Sequence, residues 1–359
     1  MRKRLFLINV LILLFIGLVM VYSSSHIWAK YKFDDAYFFI KRQSIFAIIG
    51  IFIMFFVSKV DYHRYYEKRK SIMIVSLLLL VLVLIPGIGS VRGGSRSWFA
   101  LGGISIQPSE FFKIAAVIFV ACYIQDNFQK LKKFRYILPV LGIIGLGFAL
   151  IMFQPDFGTG FIMVCSIIVM IMVTKFPFKY FIYLGALGIL GIVSLIASAP
   201  YRIQRILAFL DPFSDPLGSG FQMIQSLYAI GPGGIIGVGF NNSFQKHFYL
   251  PEPQTDFIFA IYCEEFGFIG GVVLILLFAY LVYQGLDIAL KSKDIFGCYL
   301  AIGITAMIGI QVMINLGVVV GVFPVTGVTL PFISYGGSSL TLLLICVGII
   351  LNIARQDDK

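Results

Sequence analysis

Ten apolar runs follow one another along this chain, near residues 5 to 25, 43 to 58, 71 to 88, 109 to 125, 137 to 153, 159 to 174, 181 to 199, 257 to 283, 297 to 320 and 335 to 353. Each is long enough, or nearly so, to cross hydrocarbon as a helix. With 59% of 359 residues hydrophobic and 13% charged, the chain has lipid as its main solvent. The fold class expected is an all-α integral membrane protein, a bundle of about ten transmembrane helices. One polytopic domain over residues 1–359 is expected, with a long extracellular loop at 200–256 between the seventh and eighth spans. The opening Met1-Arg2-Lys3-Arg4 and its apolar stretch imitate a signal peptide, but the stretch has full span length and no A-x-A site follows, so it reads as a retained first helix.

Orientation follows from the Lys and Arg residues of short loops. With the N-terminus inside, the inner segments hold Arg2, Lys3, Arg4, Lys59, Arg64, Lys68, Arg69, Lys70, Lys130, Lys132, Lys133, Arg135, Lys175, Lys179, Lys291, Lys293, Arg355 and Lys359, which places both termini in the cytoplasm. The net charge of +11 is then largely topology, with attraction to membrane lipid headgroups as a secondary effect, and no nucleic-acid partner is needed. Cys122, Cys165, Cys263, Cys298 and Cys346 form no CxxC pair, and His26, His63 and His247 lie far apart. Neither a disulfide framework nor a histidine-based metal site is indicated.

Loops as long as 200–256 tend to be functional. Within it Phe221 to Ile230 is expected to form a short helix on the membrane surface, bounded by Gly and Pro clusters. Glycine spacings such as Gly317 to Gly321, and Gly185, Gly188 and Gly191, allow close approach between helices.

A charge in or near a span is costly enough to ask for a reason. Lys113 follows Gln107-Pro108-Ser109-Glu110, where Pro108 suits a helix start and Glu110 its positive end; Glu110 and Lys113 can pair across one turn. They read either as a structural ion pair or as the polar wall of a cavity. Asp156, in Gln154-Pro155-Asp156-Phe157-Gly158-Thr159, is either a turn cap or a second carboxylate that joins Glu110 in holding a divalent cation and a substrate phosphate. Asp256 is the strongest candidate: it closes the long loop before an apolar run, with Glu252, Glu264 and Glu265 nearby, and simple helix capping is its bland alternative. Arg92 and Arg96 lie with Trp98 on an outer loop, Arg202, Arg205 and Lys246 flank the long one, and outer arginines run against the positive-inside rule. A lipid pyrophosphate would be a natural ligand for the arginines, with headgroup binding as the alternative and an interfacial anchor role for Trp98.

The segments GSRSWFALGGISIQPSEFFK at 94–113, QPDFGT at 154–159, DPLGSGFQMIQSLYAIGPGGIIGVG at 215–239, YLPEPQTDFIFA at 249–260 and PVTGVTLPFISYGGSS at 324–339 resemble the SEDS family of shape, elongation, division and sporulation proteins, which includes FtsW, RodA and SpoVE. The resemblance runs over nearly the whole chain, and the PEPQTDF form leans toward SpoVE. It implies ten helices and a peptidoglycan glycosyltransferase of the bacterial cytoplasmic membrane that polymerises lipid II through β-1,4 bonds with release of undecaprenyl pyrophosphate. It also implies a class B penicillin-binding protein as transpeptidase partner, and a role in spore cortex or septal wall synthesis. Asp256 matches the family's essential aspartate, and Trp98, Glu110, Lys113 and Asp156 fall on other motif positions lining the outward cavity.

On that resemblance Asp256 is the expected general base, its pKa raised by burial or neighbouring acids. Arginines, or Mg²⁺ or Mn²⁺ near Asp156 and Glu110, are expected to take the leaving-group charge. Two rival readings stand beside this one: a lipid II flippase, and a non-catalytic scaffold for a transpeptidase.

Overall fold

The computed structural model describes residues 2–92, 94–101, 104–197 and 200–357. Among them thirteen helices form: α1 (Arg2–Phe33), α2 (Phe38–Val57), α3 (His63–Glu67), α4 (Arg69–Leu84), α5 (Pro108–Asn127), α6 (Leu138–Met152), α7 (Phe157–Met172), α8 (Lys179–Ala197), α9 (Pro200–Leu210), α10 (Phe221–Gly233), α11 (Ile258–Leu290), α12 (Ile295–Val319) and α13 (Gly337–Asp357). Six of these, α1, α2, α5, α11, α12 and α13, are long and apolar enough to cross a membrane. The remaining four apolar runs form α4, α6, α7 and α8. This is a multi-pass membrane protein, and its surface agrees: Phe15, Phe52, Phe56, Leu78, Leu187 and Phe268 are exposed, a pattern that lipid tolerates and water does not.

Both termini lie at one end of the bundle. Arg2 pairs with Asp287 at 3.2 Å, Gln356 donates to Asp61 at 2.9 Å, and the Tyr62 amide donates to Asn352 Oδ1 at 3.0 Å. α5 and α12 form the core: Ala116, Val117, Ala121, Leu300, Ala301 and Ile304 are fully or almost fully enclosed.

Several expectations are corrected. The loop before α5 is a three-stranded antiparallel sheet, β1 (Ser90–Arg92), β2 (Ser95–Leu101) and β3 (Ile104–Ile106), with Phe99 opposite Ile106 and Ala100 opposite Ser105. The 200–256 segment carries two helices, α9 and α10. α10 forms where the short helix was expected and extends to Gly233; it docks on the bundle through buried Met223, Ile224 and Ala229, and Ser226 donates to the Val319 carbonyl at 2.8 Å. Gly185, Gly188 and Gly191 face open space, so no helix approaches α8 there and it stands on the periphery.

α11 is broken, which no sequence pattern announced. Gly267 sits at φ 66°, ψ −165°, a conformation open to glycine alone. The break leaves backbone groups without helical partners, and the 234–239 segment supplies them. Val238 and Gly239 amides donate to the Glu264 and Glu265 carbonyls at 2.9 and 3.0 Å; Phe268 and Ile269 amides donate to the Gly234 and Ile235 carbonyls at 2.9 and 3.1 Å. The irregular helix is tolerated because the 234–239 backbone pairs with the groups that the break frees.

Candidate active site at the end opposite the termini

Between α12 and α13 the chain has no regular structure from 320 to 336, yet it turns inward, burying Leu330, Phe332, Ile333 and Ser334. Pro324 and Pro331 lack the amide a helix needs, and Gly321 and Gly327 take φ of 78° and 76°. Neighbouring side chains meet its backbone groups. Gln311 Nε2 donates to Thr329 O at 3.0 Å, and Asn315 Nδ2 to Val328 O at 2.7 Å. Ser334 Oγ accepts from the Leu330 amide at 2.8 Å and donates to Thr255 O at 2.6 Å. α1 admits the segment at Gly17, where a Cβ would overlap the Phe332 carbonyl oxygen.

This segment positions Asp256. Asn315 Nδ2 also donates to the Asp256 carbonyl at 2.8 Å, and Oδ2 of Asp256 lies 3.8 Å from where a Cβ on Gly327 would stand. Helix capping is not its role: the N-cap of α11 is Phe257, and no side chain caps that helix. Nothing among the described residues hydrogen-bonds the Asp256 carboxylate, which keeps part of its surface open. Burial pushes its pKa up to about 6, Glu252 adds to the rise and Arg205 opposes it. Arg205, on α9, donates to Val325 O at 3.3 Å and lines a cavity of about 270 Å³ with Gln204, Ser219, Gln222 and Val325.

Glu110, Lys113 and Asp156 approach the same segment from the other side. Lys113 Nζ bonds Glu110 Oε1 at 2.9 Å and Gln311 Oε1 at 3.0 Å, fully enclosed, while Ser339 reaches Glu110 Oε2 at 3.4 Å. Pro108 opens α5 as its sequence requires. Asp156 caps α7, accepting from the Thr159 amide at 3.3 Å, and it also ties α5 to α7 by accepting from Gln107 Nε2 at 2.7 Å and Ser109 Oγ at 2.8 Å. Burial raises its pKa, against the Ser109 and Thr159 hydrogen bonds, and Glu110 adds to the rise. Next to Asp156, a Cβ on Gly158 would stand 3.1 Å from Thr326 O.

Other candidates fall elsewhere. Lys246 is buried, paired with Glu265 at 3.1 Å and bonded to Asn241 at 2.7 Å. Burial pulls its pKa down against the pull of Glu265. Glu265 also accepts from Ser23 at 2.6 Å, and Glu264 accepts from Ser243 at 2.5 Å and the Phe244 amide at 2.7 Å. The two glutamates inside α11 are therefore anchors for the 241–246 stretch. Arg96 and Trp98 lie on β2, and the side chains of Arg92 and Arg202 lie outside the described residues.

The expected metal pair does not fit a cation. Both oxygens of Asp156 and of Glu110 already accept from amide, hydroxyl or ammonium donors, groups that would face a cation with positive charge. No group of three or more His, Cys, Asp or Glu able to hold a metal occurs among the described residues. Sequence reasoning also missed Gln311 and Asn315, two amides one turn apart on an otherwise apolar helix, a polar stripe that insertion cost could have flagged.

The geometry has counterparts. The FtsW/RodA/SpoVE family, described as cell cycle proteins, matches residues 3–359. The chain belongs to this family. It is 56% identical over 352 residues to stage V sporulation protein E of Bacillus subtilis (strain 168), covering 98% of this chain and 96% of that one. A probable peptidoglycan glycosyltransferase FtsW of Geobacter sp. (strain M18) is 40% identical over 351 residues, covering 98% and 96%. Among solved structures, a chain of a peptidoglycan synthase complex that coordinates polymerization and crosslinking superposes with a TM-score of 0.81 at 31% identity, over 98% of this chain and 97% of that one. The rod shape determining protein RodA of Thermus thermophilus superposes with a TM-score of 0.71 at 26% identity, over 99% and 97%.

Proposed function

We propose that this chain is an inverting, lipid II-dependent peptidoglycan glycosyltransferase working with a class B penicillin-binding protein as transpeptidase, in spore cortex or septal wall synthesis. Peptidoglycan glycosyltransfer is the activity of this family member. On the positive-inside rule we assign both termini to the cytoplasm, which turns the Asp256 end outward. The observation that carries the reading is the Asp256 carboxylate, held by its backbone, free of hydrogen-bond donors among the described residues and raised to about 6 beside an Arg205-lined cavity. A base with such a pKa is largely ionised at neutral pH and still accepts a proton readily.

The C4 hydroxyl of the acceptor GlcNAc attacks the anomeric carbon of the donor MurNAc, its proton passes to Asp256, and the bond to undecaprenyl pyrophosphate breaks with inversion. Arg205 is assigned to the pyrophosphate. The enclosed Glu110–Lys113–Gln311 network holds the wall rigid under the reacting groups. A divalent cation remains part of the proposal. Mg²⁺ takes one or two carboxylates together with substrate phosphate oxygens, and Glu252 is the carboxylate assigned to it. When bound it would neutralise pyrophosphate charge, and Glu252→Gln should raise the Mg²⁺ or Mn²⁺ concentration needed for half-maximal rate.

The test is polymer formation by the purified chain with its transpeptidase, lipid II and Mg²⁺ or Mn²⁺. Asp256→Asn should abolish polymer while partner binding persists. Undiminished polymer would remove Asp256 from the mechanism, and lipid II translocation in liposomes without any polymer would favour a flippase. No activity of either kind would favour a scaffold.

A further inference from the structure

At the end of the bundle that holds the termini, the α5–α6 connection (128–137) and the α7–α8 connection (173–178) share an aromatic bed. The Phe134 ring lies 5.0 Å from Tyr180 and 6.4 Å from Phe176, and Phe128 lies 6.2 Å from Tyr299, whose hydroxyl donates to Val173 O at 3.0 Å. Lys130, Lys132, Lys133, Arg135, Lys175 and Lys179 rise from this bed, all exposed. Four of them lean on rings: Lys175 at 5.4 Å from Phe128, Lys179 at 5.1 Å from Tyr180, and Arg135 at 5.0 Å and Lys130 at 6.0 Å from Tyr136.

The inside rule explains why these residues are basic. It does not explain why they stand together without counter-charge. Three other cations at this end do meet carboxylates: Arg2 and Lys291 share Asp287, and Arg69 pairs with Asp126. None of the six has a carboxylate partner among the described residues. The hydrogen bond from Arg135 and its charge hold the Tyr136 hydroxyl below its ordinary pKa, with smaller contributions from Lys130 and Lys133. Crowded like charges repel, and a bound anion relieves the repulsion.

The surroundings identify that anion. The six cations sit where α6 begins, α7 ends and α8 begins, and the patch merges directly into the exposed apolar side chains Leu138, Met172, Val173, Phe178 and Ile182. A ligand here meets phosphate-binding cations on one side and hydrocarbon-facing groups on the other. We propose that this patch is a binding site for anionic phospholipid, with lysines and Arg135 on the headgroup phosphate and Phe178 at the acyl boundary. An acidic soluble protein would match the charges but leave Phe178 and Leu138 unused. The site is independent of the glycosyltransferase reading, and its test needs no turnover.

The full chain is reconstituted in mixed vesicles of phosphatidylcholine and phosphatidylglycerol. Spin-labelled phosphatidylglycerol and spin-labelled phosphatidylcholine are then compared for the motionally restricted fraction. The wild type should prefer the anionic probe by at least about fivefold, the weight of one basic residue against an anionic surface, and the preference should shrink with salt. It should fall to about parity when all six are changed to Gln, and persist in K59Q/K68Q/K70Q, a change at the same end outside the patch. Should the six-substitution chain misfold, K132Q/K133Q/K179Q serves, with the preference expected to fall by at least about half. Equal preference in patch variants and wild type, or equal loss in the control, overturns the proposal.

Discussion

Asn315 holds Asp256 by its backbone: one side-chain amide nitrogen donates to the Asp256 carbonyl at 2.8 Å and to Val328 O at 2.7 Å, joining α12, the start of α11 and the inward-turning segment at a single point. Asn315→Leu keeps the size of the side chain but leaves two carbonyls without their donor, at a cost of about 1–3 kcal/mol each. Since a shift of about 1 Å in a reacting group can cost about a hundredfold in rate, polymerisation should drop by at least tenfold, roughly, while the chain still folds. Polymer yield and thermal unfolding, measured on the same preparation, check this. Wild-type rates in a folded variant would show that Asn315 does not position the site.

The Asp256 pKa of about 6 predicts opposite effects on rate and stability. A base must be ionised, so the polymerisation rate should rise with pH through about 6 and then level off. Between its ordinary 3.8 and about 6, the folded state holds the extra proton, so this group's contribution to stability is present at low pH and lost as pH rises through that window. At neutral pH the charged carboxylate therefore destabilises the fold, and Asp256→Asn should raise the unfolding temperature while abolishing polymer. A lowered unfolding temperature would contradict the raised pKa.

Lys246 and Glu265 form a buried ion pair at 3.1 Å. Removing one charge strands the other, so Lys246→Met should cost about 3–5 kcal/mol, and the double variant Lys246→Met with Glu265→Leu should recover much of it. Detergent-solubilised thermal unfolding of the single and double variants is the measurement. Equal losses in both would mean the pair is not coupled.

Gly17 marks the closest passage of the inward-turning segment past α1. A methyl group there meets the Phe332 backbone, which cannot rotate away as a side chain could. Gly17→Ala should therefore destabilise by about 1–3 kcal/mol. Gly185→Ala on α8, where nothing lies within 4 Å, should not destabilise and provides the contrast.

Much of this was legible before any coordinates. Spans, the start of α5 at Pro108 and the Glu110–Lys113 pair follow from hydropathy and helical spacing, which are local properties. The break in α11 was not legible, because Gly267 differs from other span glycines only through the 234–239 backbone that comes to meet it. The buried contact of Lys246 with Ser23, 223 residues away in the chain, was likewise not legible.

By itself the sequence determined the solvent, the number of apolar runs and the family, since insertion cost and motif order are read residue by residue. Only the tertiary structure decided which polar groups share a site. Asp256 acquires its raised pKa from burial and from Glu252 and Arg205, and its position from Asn315 and the 320–336 segment. Proximity across loops and helices far apart in the chain is a property of packing, and the energetics of a buried carboxylate depend on packing more than on its own identity.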